Sequence, residues 1–225
     1  MEVLKTFRHE YKYVLPYGDS LKLRSKLNDL LELDRGGPYV VRSIYFDSVD
    51  DDDYYDKQGG EINRKKIRLR TYDSSGKVCK LECKAKYDMH QLKSSLLIGK
   101  SDAIKLINGD YSFLLDIDND VAHEIYLIMR EGHYKPKVII EYDRAAYIAP
   151  GSSTRITFDF NIKESHDFDK FFTDDINYVD CTDIKDIVLE VKFDRFLEPY
   201  IGSVINDFTS RYQSVSKYVM GRNEY

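Results

Sequence analysis

The feature of this sequence that most restricts its fold is an alternation of apolar and charged side chains that recurs in five separate segments. In segment 77–87, Lys80, Glu82, Lys84 and Lys86 fall on one face of an extended chain, and Cys79, Leu81, Cys83 and Ala85 fall on the other. Lys66, Arg68 and Arg70 oppose Ile67 and Leu69, while Arg8, Glu10 and Lys12 oppose Phe7, Tyr11 and Tyr13. Arg155, Thr157, Asp159 and Asn161 oppose Ile156, Phe158, Phe160 and Ile162; Glu190 and Lys192 oppose Leu189, Val191 and Phe193. A period of two is the period of a β-strand, so each segment reads as a strand with one apolar face. The second face of a half-buried strand ordinarily carries small or neutral polar groups, whereas here it carries formal charge in strand after strand.

Alternating segments at 7–15, 39–47, 63–73, 77–87, 91–98, 136–148, 153–162 and 187–195 predict about eight strands, bounded by turns such as Pro16-Tyr17-Gly18, Ser74-Ser75-Gly76 and Pro150-Gly151-Ser152. Helical periodicity joins Leu21, Leu23, Leu27, Leu30 and Leu31 after a cap at Asp19 or Ser20. It joins Val121, Ile125 and Ile128, closing at Gly132, and then Ile201, Ile205, Phe208, Tyr212 and Val219 in one helix over 198–220. With no repeat and no Pro/Gly/Ser linker, residues 1–225 read as a single α+β domain built on a largely antiparallel sheet. The acidic run Asp50–Asp53 lacks the glycine and the distal glutamate of a calcium loop and is expected to be a solvated turn.

Charged faces on this scale admit two arrangements. They can point to water and pair across strands, or the sheet can close into an eight-stranded barrel with a charged interior and helices covering its apolar exterior. Amphipathic helices need an apolar sheet face to cover, which favours the barrel. An interior so rich in Lys and Arg repels itself unless a polyanion enters, and that points to phosphates. Nucleic acid is disfavoured as that polyanion, because 34 basic against 39 acidic residues leave a net charge of −5. Apolar content of 42% excludes disorder, and no run approaches the roughly 18 apolar residues of a membrane span. Residues Met1–Lys5 have no signal-like hydrophobic region, and Cys79, Cys83 and Cys181 are odd in number and lack metal spacing to any His. The expectation is a cytoplasmic protein with reduced thiols. His9, His90, His123, His133 and His166 are scattered and form no catalytic triad, so each reads as surface or structural.

Eight ordered segments then resemble one known family. RHEYKY (Arg8–Tyr13), VRSIYFDS (Val41–Ser48), KIRLRTY (Lys66–Tyr72), LECKAK (Leu81–Lys86), EYDRAAY (Glu141–Tyr147), RITFDFNI (Arg155–Ile162), VLEVKFD (Val188–Asp194) and SKY (Ser216–Tyr218) resemble the catalytic domain of the vacuolar transporter chaperone (VTC) family. That family is the polyphosphate polymerase branch of the CYTH-like triphosphate tunnel metalloenzymes. The resemblance implies an antiparallel tunnel barrel, with a phosphate cradle made by Arg8, Lys12, Lys66, Arg68, Arg70, Lys84, Lys93, Arg144, Arg155, Lys192, Ser216 and Lys217. Lys217, Arg68 and Arg70 would stand at the reacting phosphates, and Glu190 would bind Mn²⁺ or Mg²⁺. The wider superfamily opens with E-x-E-x-K, but here Arg8 replaces the first carboxylate. Glu10 is left as either a second metal contact or an ion-pair partner of a neighbouring Lys or Arg.

The implied activity is transfer of the γ-phosphoryl group of ATP onto a growing polyphosphate chain. The alternatives are a tunnel triphosphatase that uses water as acceptor, and a non-catalytic polyphosphate-binding module. Such chemistry asks a protein for in-line positioning and charge neutralisation by Arg, Lys and a divalent ion. Membrane or regulatory partner proteins would be separate from this sequence. Arg68 and Arg70, two residues apart on one strand, project about 6 to 7 Å apart to the same side. Removing both is expected to abolish triphosphate binding and, by relieving repulsion, to leave thermal stability unchanged or raised.

Overall fold

The computed structural model of the chain describes residues 8–87, 90–181, 186–209 and 211–222, and the backbone alone for residues 8, 90 and 91. In chain order the elements are β1 (Arg8–Pro16), α1 (Tyr17–Asn28), β2 (Glu32–Leu33), β3 (Tyr39–Asp47), α2 (Asp52–Gly59), β4 (Arg64–Thr71), β5 (Cys79–Tyr87) and β6 (His90–Ile98). They continue with α3 (Lys100–Ile107), α4 (Asp120–Glu131), β7 (Lys135–Ile148), β8 (Arg155–Ser165), β9 (Val179–Asp180), β10 (Asp186–Asp194), α5 (Pro199–Asn206) and α6 (Lys217–Met220). Eight strands follow the path β1-β10-β8-β7-β3-β4-β5-β6, while the two-residue β2 and β9 attach to β7 and β8. The α+β class and the antiparallel character agree with the sequence expectation.

Chain contacts divide the protein into two compact units, 1–40 with 142–162 and 182–216, and 41–141 with 163–181 and 217–225. In the first unit, β10 pairs with β1 and β8. Leu189, Val191 and Phe193 of β10 and Ile156 and Phe158 of β8 form one apolar surface, and Leu23 and Leu27 of α1 and Ile201 and Ile205 of α5 pack into the same core. In the second unit, Ile44 and Phe46, Ile67 and Leu69, and Leu81 and Cys83 make the corresponding surface of β3, β4 and β5. Leu106 of α3 and Ile125 and Met129 of α4 join that core. Alternation therefore has the consequence read from it: the apolar faces carry the helices, and the charged residues share the opposite faces.

Several local expectations change. The helix over 198–220 is two short ones, α5 and the single turn α6. Residues 209–216 are rich in Ser and Thr, poor helix formers, and Gln213 N donates to Lys12 O of β1 at 2.7 Å. Helix α1 starts at Tyr17 directly after Pro16, and Ser20 Oγ donates to Tyr17 O instead of capping; Leu21 faces out. The acidic run is an exposed turn only at its start, Asp50, and the rest departs from the expectation. Asp52–Gly59 is helix α2, and Asp53 is 1% exposed. Helix α4 fits its reading, with Asn119 accepting from Val121 N and Gly132 closing it. Gly132 is required there, because a Cβ would lie 2.6 Å from the Tyr134 ring. All three cysteines are buried and free. Phe7 lies outside the described residues.

Candidate functional site

In the second unit the strand register turns the charged faces into rows. Tyr45, Arg68, Glu82 and Ser95 stand opposite one another across β3, β4, β5 and β6. The next row is Lys66, Lys84 and Lys93. Strands lie about 4.8 Å apart, so the second row sets three ammonium-bearing chains directly side by side, an arrangement that costs stability unless an anion offsets it. The carboxylate of the first row is Glu82, which is 2% exposed. Arg68 Nε donates to its Oε2 at 2.8 Å, Lys93 Nζ lies 2.7 Å from Oε1, and Arg70 Nε lies 3.7 Å from Oε2. Burial would raise the Glu82 pKa, but Arg68, Arg70 and Lys93 hold it down at about 2. One fixed negative charge thus serves three cations. Arg70 is 8% exposed, and its Nε finds no hydrogen-bond partner among the described residues.

Lys217, 8% exposed, opens α6. A one-turn helix has no independent stability, so tertiary contacts set its position. The Tyr218 hydroxyl donates to Asp47 Oδ2, its ring stacks on Tyr45 at 5.3 Å, and Arg222 forks onto both Asp51 oxygens at 2.9 Å. Asp47 is held in turn, accepting from the backbone N–H groups of Ser48, Asp53 and Tyr54. Behind them, Asp53 Oδ1 accepts from Tyr134 OH at 2.9 Å and lies 3.5 Å from Lys65 Nζ. Burial, and then the neighbouring Asp47 carboxylate, push the Asp53 pKa up to about 7 despite these contacts. In the same unit Arg42 is committed to structure. It donates to Glu141 and, at 2.7 Å each, to the carbonyls of Phe171 and Thr173. Glu141 also accepts from Tyr178 OH and pairs with Lys163 at 2.9 Å, and although burial opposes it, these partners keep its pKa below the usual carboxylate value.

In the first unit, β1 and β10 set Lys12 opposite Glu190 and Glu10 opposite Lys192. Glu190, 6% exposed, pairs with Lys192 at 2.9 Å and Lys12 at 3.5 Å, with an Arg144 nitrogen 3.9 Å away. Glu10 reaches the same Lys12 ammonium at 3.2 Å. Arg144 is locked fork to fork on the fully buried Asp159, with Nε and one terminal nitrogen at 2.6 and 2.7 Å. Burial opposes its charge, but Tyr142, Asp159 and Glu190 keep the guanidinium firmly protonated. Arg155 is bound to Asp34 at 2.6 Å and Tyr39 OH at 3.1 Å, so its group is already engaged by the 34–39 loop. Ser216 is buried, and Lys12 Nζ donates to the adjacent Val215 O at 3.3 Å. The Arg8 side chain lies outside the described residues.

Glu190 and Glu10 converge on one ammonium, so two carboxylates stand where a hard divalent ion would find oxygen ligands. Mg²⁺ or Mn²⁺ suits such a set, taking one or two carboxylates and completing its shell with water and phosphate oxygens. Among the described residues no group of three or more His, Cys, Asp or Glu is placed to hold a metal ion.

Sequence reasoning named the cations but not Glu82 and Asp159, the carboxylates that hold Arg68 and Arg144, and it missed Glu141, Tyr45 and Asp47. All five sit inside the quoted motifs. Their signal is cross-strand register, which a single strand's alternation does not contain.

A family model described as the VTC domain matches residues 7–224. A candidate adenylyl cyclase from Hippeastrum, described as having a dominant triphosphatase activity, has a similar fold: TM-score 0.58, 14% identity, 95% of this chain and 94% of that chain covered. A candidate adenylate cyclase from Bacillus halodurans is similar at TM-score 0.52 and 15% identity, over 89% of this chain and 87% of that chain. No curated protein matches the chain significantly. No helix among the described residues is long and apolar enough to cross a membrane.

Proposed function

The chain belongs to the VTC domain family, and from that premise we propose that it is a metal-dependent polyphosphate polymerase, moving the γ-phosphoryl group of ATP onto a phosphate chain and releasing ADP. The observation that carries this reading is the cross-strand row Lys66, Lys84 and Lys93 beside Arg68 and Arg70, with Glu82 as the counter-charge shared by Arg68, Arg70 and Lys93. Such an excess of cations on one face is stabilised by a polyanion. Arg68 and Arg70 offer planar donors suited to non-bridging phosphate oxygens, and the lysines act as point charges that hold a chain without fixing its register. Lys217 adds a cation from α6. In the first unit Lys12, Lys192 and Arg144 supply the positive groups around Glu190.

Glu190 and Glu10 are the residues that would hold Mn²⁺ or Mg²⁺, which, once bound, neutralises charge on the transferring phosphoryl group. The protein's own part is positioning: Asp159 aims Arg144, Glu82 aims Arg68, and Tyr218 seats Lys217. Aligned oxygens and fixed cations are what a loose phosphoryl-transfer transition state needs.

The test is product analysis of purified protein incubated with ATP and Mn²⁺ or Mg²⁺. A ladder of long polyphosphate on a gel, with stoichiometric ADP, supports the polymerase. Orthophosphate without polymer overturns it in favour of a triphosphatase, and metal-independent binding without turnover overturns it in favour of a binding module.

A further inference from the structure

Tyr45 is a group the proposed chemistry has not used. It lies on β3 opposite Arg68 and is 3% exposed. Its oxygen accepts a hydrogen bond from an Arg68 terminal nitrogen at 3.3 Å. The charged groups that act on it most strongly are positive, Arg68 and Arg70 from β4 and Lys217 from α6, while the nearby carboxylate Glu82 is engaged by Arg68. Lys66 Nζ lies 5.6 Å from the centre of its ring, and the flanking Tyr218 ring is itself beneath that ammonium at 5.6 Å. A phenol has one proton to donate as well as lone pairs to accept with. Among the described residues no acceptor takes that proton, while the oxygen is already used by Arg68. A buried O–H ringed by cations and lacking an acceptor is satisfied when an anion arrives.

Resting on the function proposed above, we propose that Tyr45 is a further substrate-contacting residue, whose hydroxyl donates to an anionic oxygen of a condensed phosphate held by Arg68 and Arg70. The ring is fixed for this by its stack on Tyr218 at 5.3 Å and 23°. No bond to phosphorus is involved, and the proton stays on the phenol oxygen. The electrostatic setting agrees: burial raises the phenol's pKa, but Arg68, Arg70 and Lys217 outweigh it, and the net direction is downward. An O–H polarised in this way is a stronger donor. As pH rises and the phenol ionises, it changes from donor to a negative charge that repels phosphate.

The experiment is metal-free calorimetric titration of the full chain with inorganic tripolyphosphate, comparing wild type with Tyr45→Phe, which keeps the ring stack. Tyr45→Phe is expected to bind roughly ten-fold more weakly near pH 7, the scale of one charge-assisted hydrogen bond. The wild type should lose this advantage as pH is raised towards about 10 and, once the phenol is ionised, bind more weakly than Tyr45→Phe. Equal affinity and equal pH profiles, with wild type binding normally, overturn the Tyr45 assignment alone. Failure of wild type to bind tripolyphosphate overturns the functional reading beneath it. Should Tyr45→Phe not fold, ultraviolet titration of wild-type tyrosines decides: saturating tripolyphosphate should move the earliest-ionising tyrosine to higher pH, and an unmoved curve overturns the assignment.

Discussion

Asp53 gives the fold a pH dependence whose sign and size follow from its surroundings. Its carboxyl is 1% exposed, Oδ2 has no hydrogen-bond partner among the described residues, and the Asp47 carboxylate stands close by. Tyr134 OH and Lys65 offset only part of this, so the folded-state pKa rises from 3.8 to about 7. At roughly 1.4 kcal/mol per pH unit, that rise corresponds to about 4 kcal/mol. For an acid with a raised folded-state pKa, the folded state binds more protons than the unfolded state between the two values. Stability is therefore fully present below about pH 4, falls as pH rises, and levels off above about pH 7. Asp53→Asn keeps an oxygen to accept from Tyr134 and cannot ionise, so subtracting its curve isolates this one group. Urea unfolding followed by circular dichroism at a series of pH values should show wild type losing about 4 kcal/mol relative to the variant across that window. A flat difference, or a wild type that gains on the variant as pH rises, would refute the reasoning.

Replacing Arg68 and Arg70 together by Ala should weaken tripolyphosphate binding by at least about 100-fold, measured by calorimetry. The structure reverses the stability expected from sequence. Glu82 would keep Lys93 as its remaining ion-pair partner among those described here, so scanning calorimetry should show a Tm lower by on the order of 10 °C; an unchanged or raised Tm would restore the repulsion argument. Tyr218→Phe should cost about 2 kcal/mol in urea unfolding, since it removes a buried hydrogen bond to the Asp47 carboxylate while preserving the stack on Tyr45. Glu190→Gln should abolish metal-dependent turnover and retain most metal-free tripolyphosphate affinity; full activity in that variant would return Glu190 to an ion-pairing role.

The strands were legible because the period-two pattern is carried by strongly contrasting residues: the expected 77–87 is observed as β5, Cys79–Tyr87, and the expected 187–195 as β10, Asp186–Asp194. Helix α2 was hidden because its residues, DDYYDKQG, have no apolar stripe, and its buried member is an aspartate. Leu21 and Leu30 belonged to a leucine-rich pattern, yet both are exposed, so composition suggested a wider apolar face on α1 than packing uses. At the site, Arg144 and Arg155 look alike in sequence. Asp159 fixes Arg144 from the adjoining strand, whereas Asp34 engages Arg155 from a loop 121 residues away. Long-range partners of this kind separate the two arginines, and strand periodicity has no access to them.

The ion pairing around Glu82 also bears on the energetics of occupancy. With an internal carboxylate already neutralising part of Arg68, Arg70 and Lys93, an arriving phosphate competes with a resident protein anion as well as with solvent ions. Binding is then partly an ion exchange within the protein, and fewer mobile counterions are displaced than the number of cations touched would suggest. The logarithm of affinity should consequently fall with the logarithm of salt concentration less steeply than one ion per cation. On the proposed function, Glu82 would also be at hand to take back the positive charge of Arg68, Arg70 and Lys93 when a bound phosphate leaves.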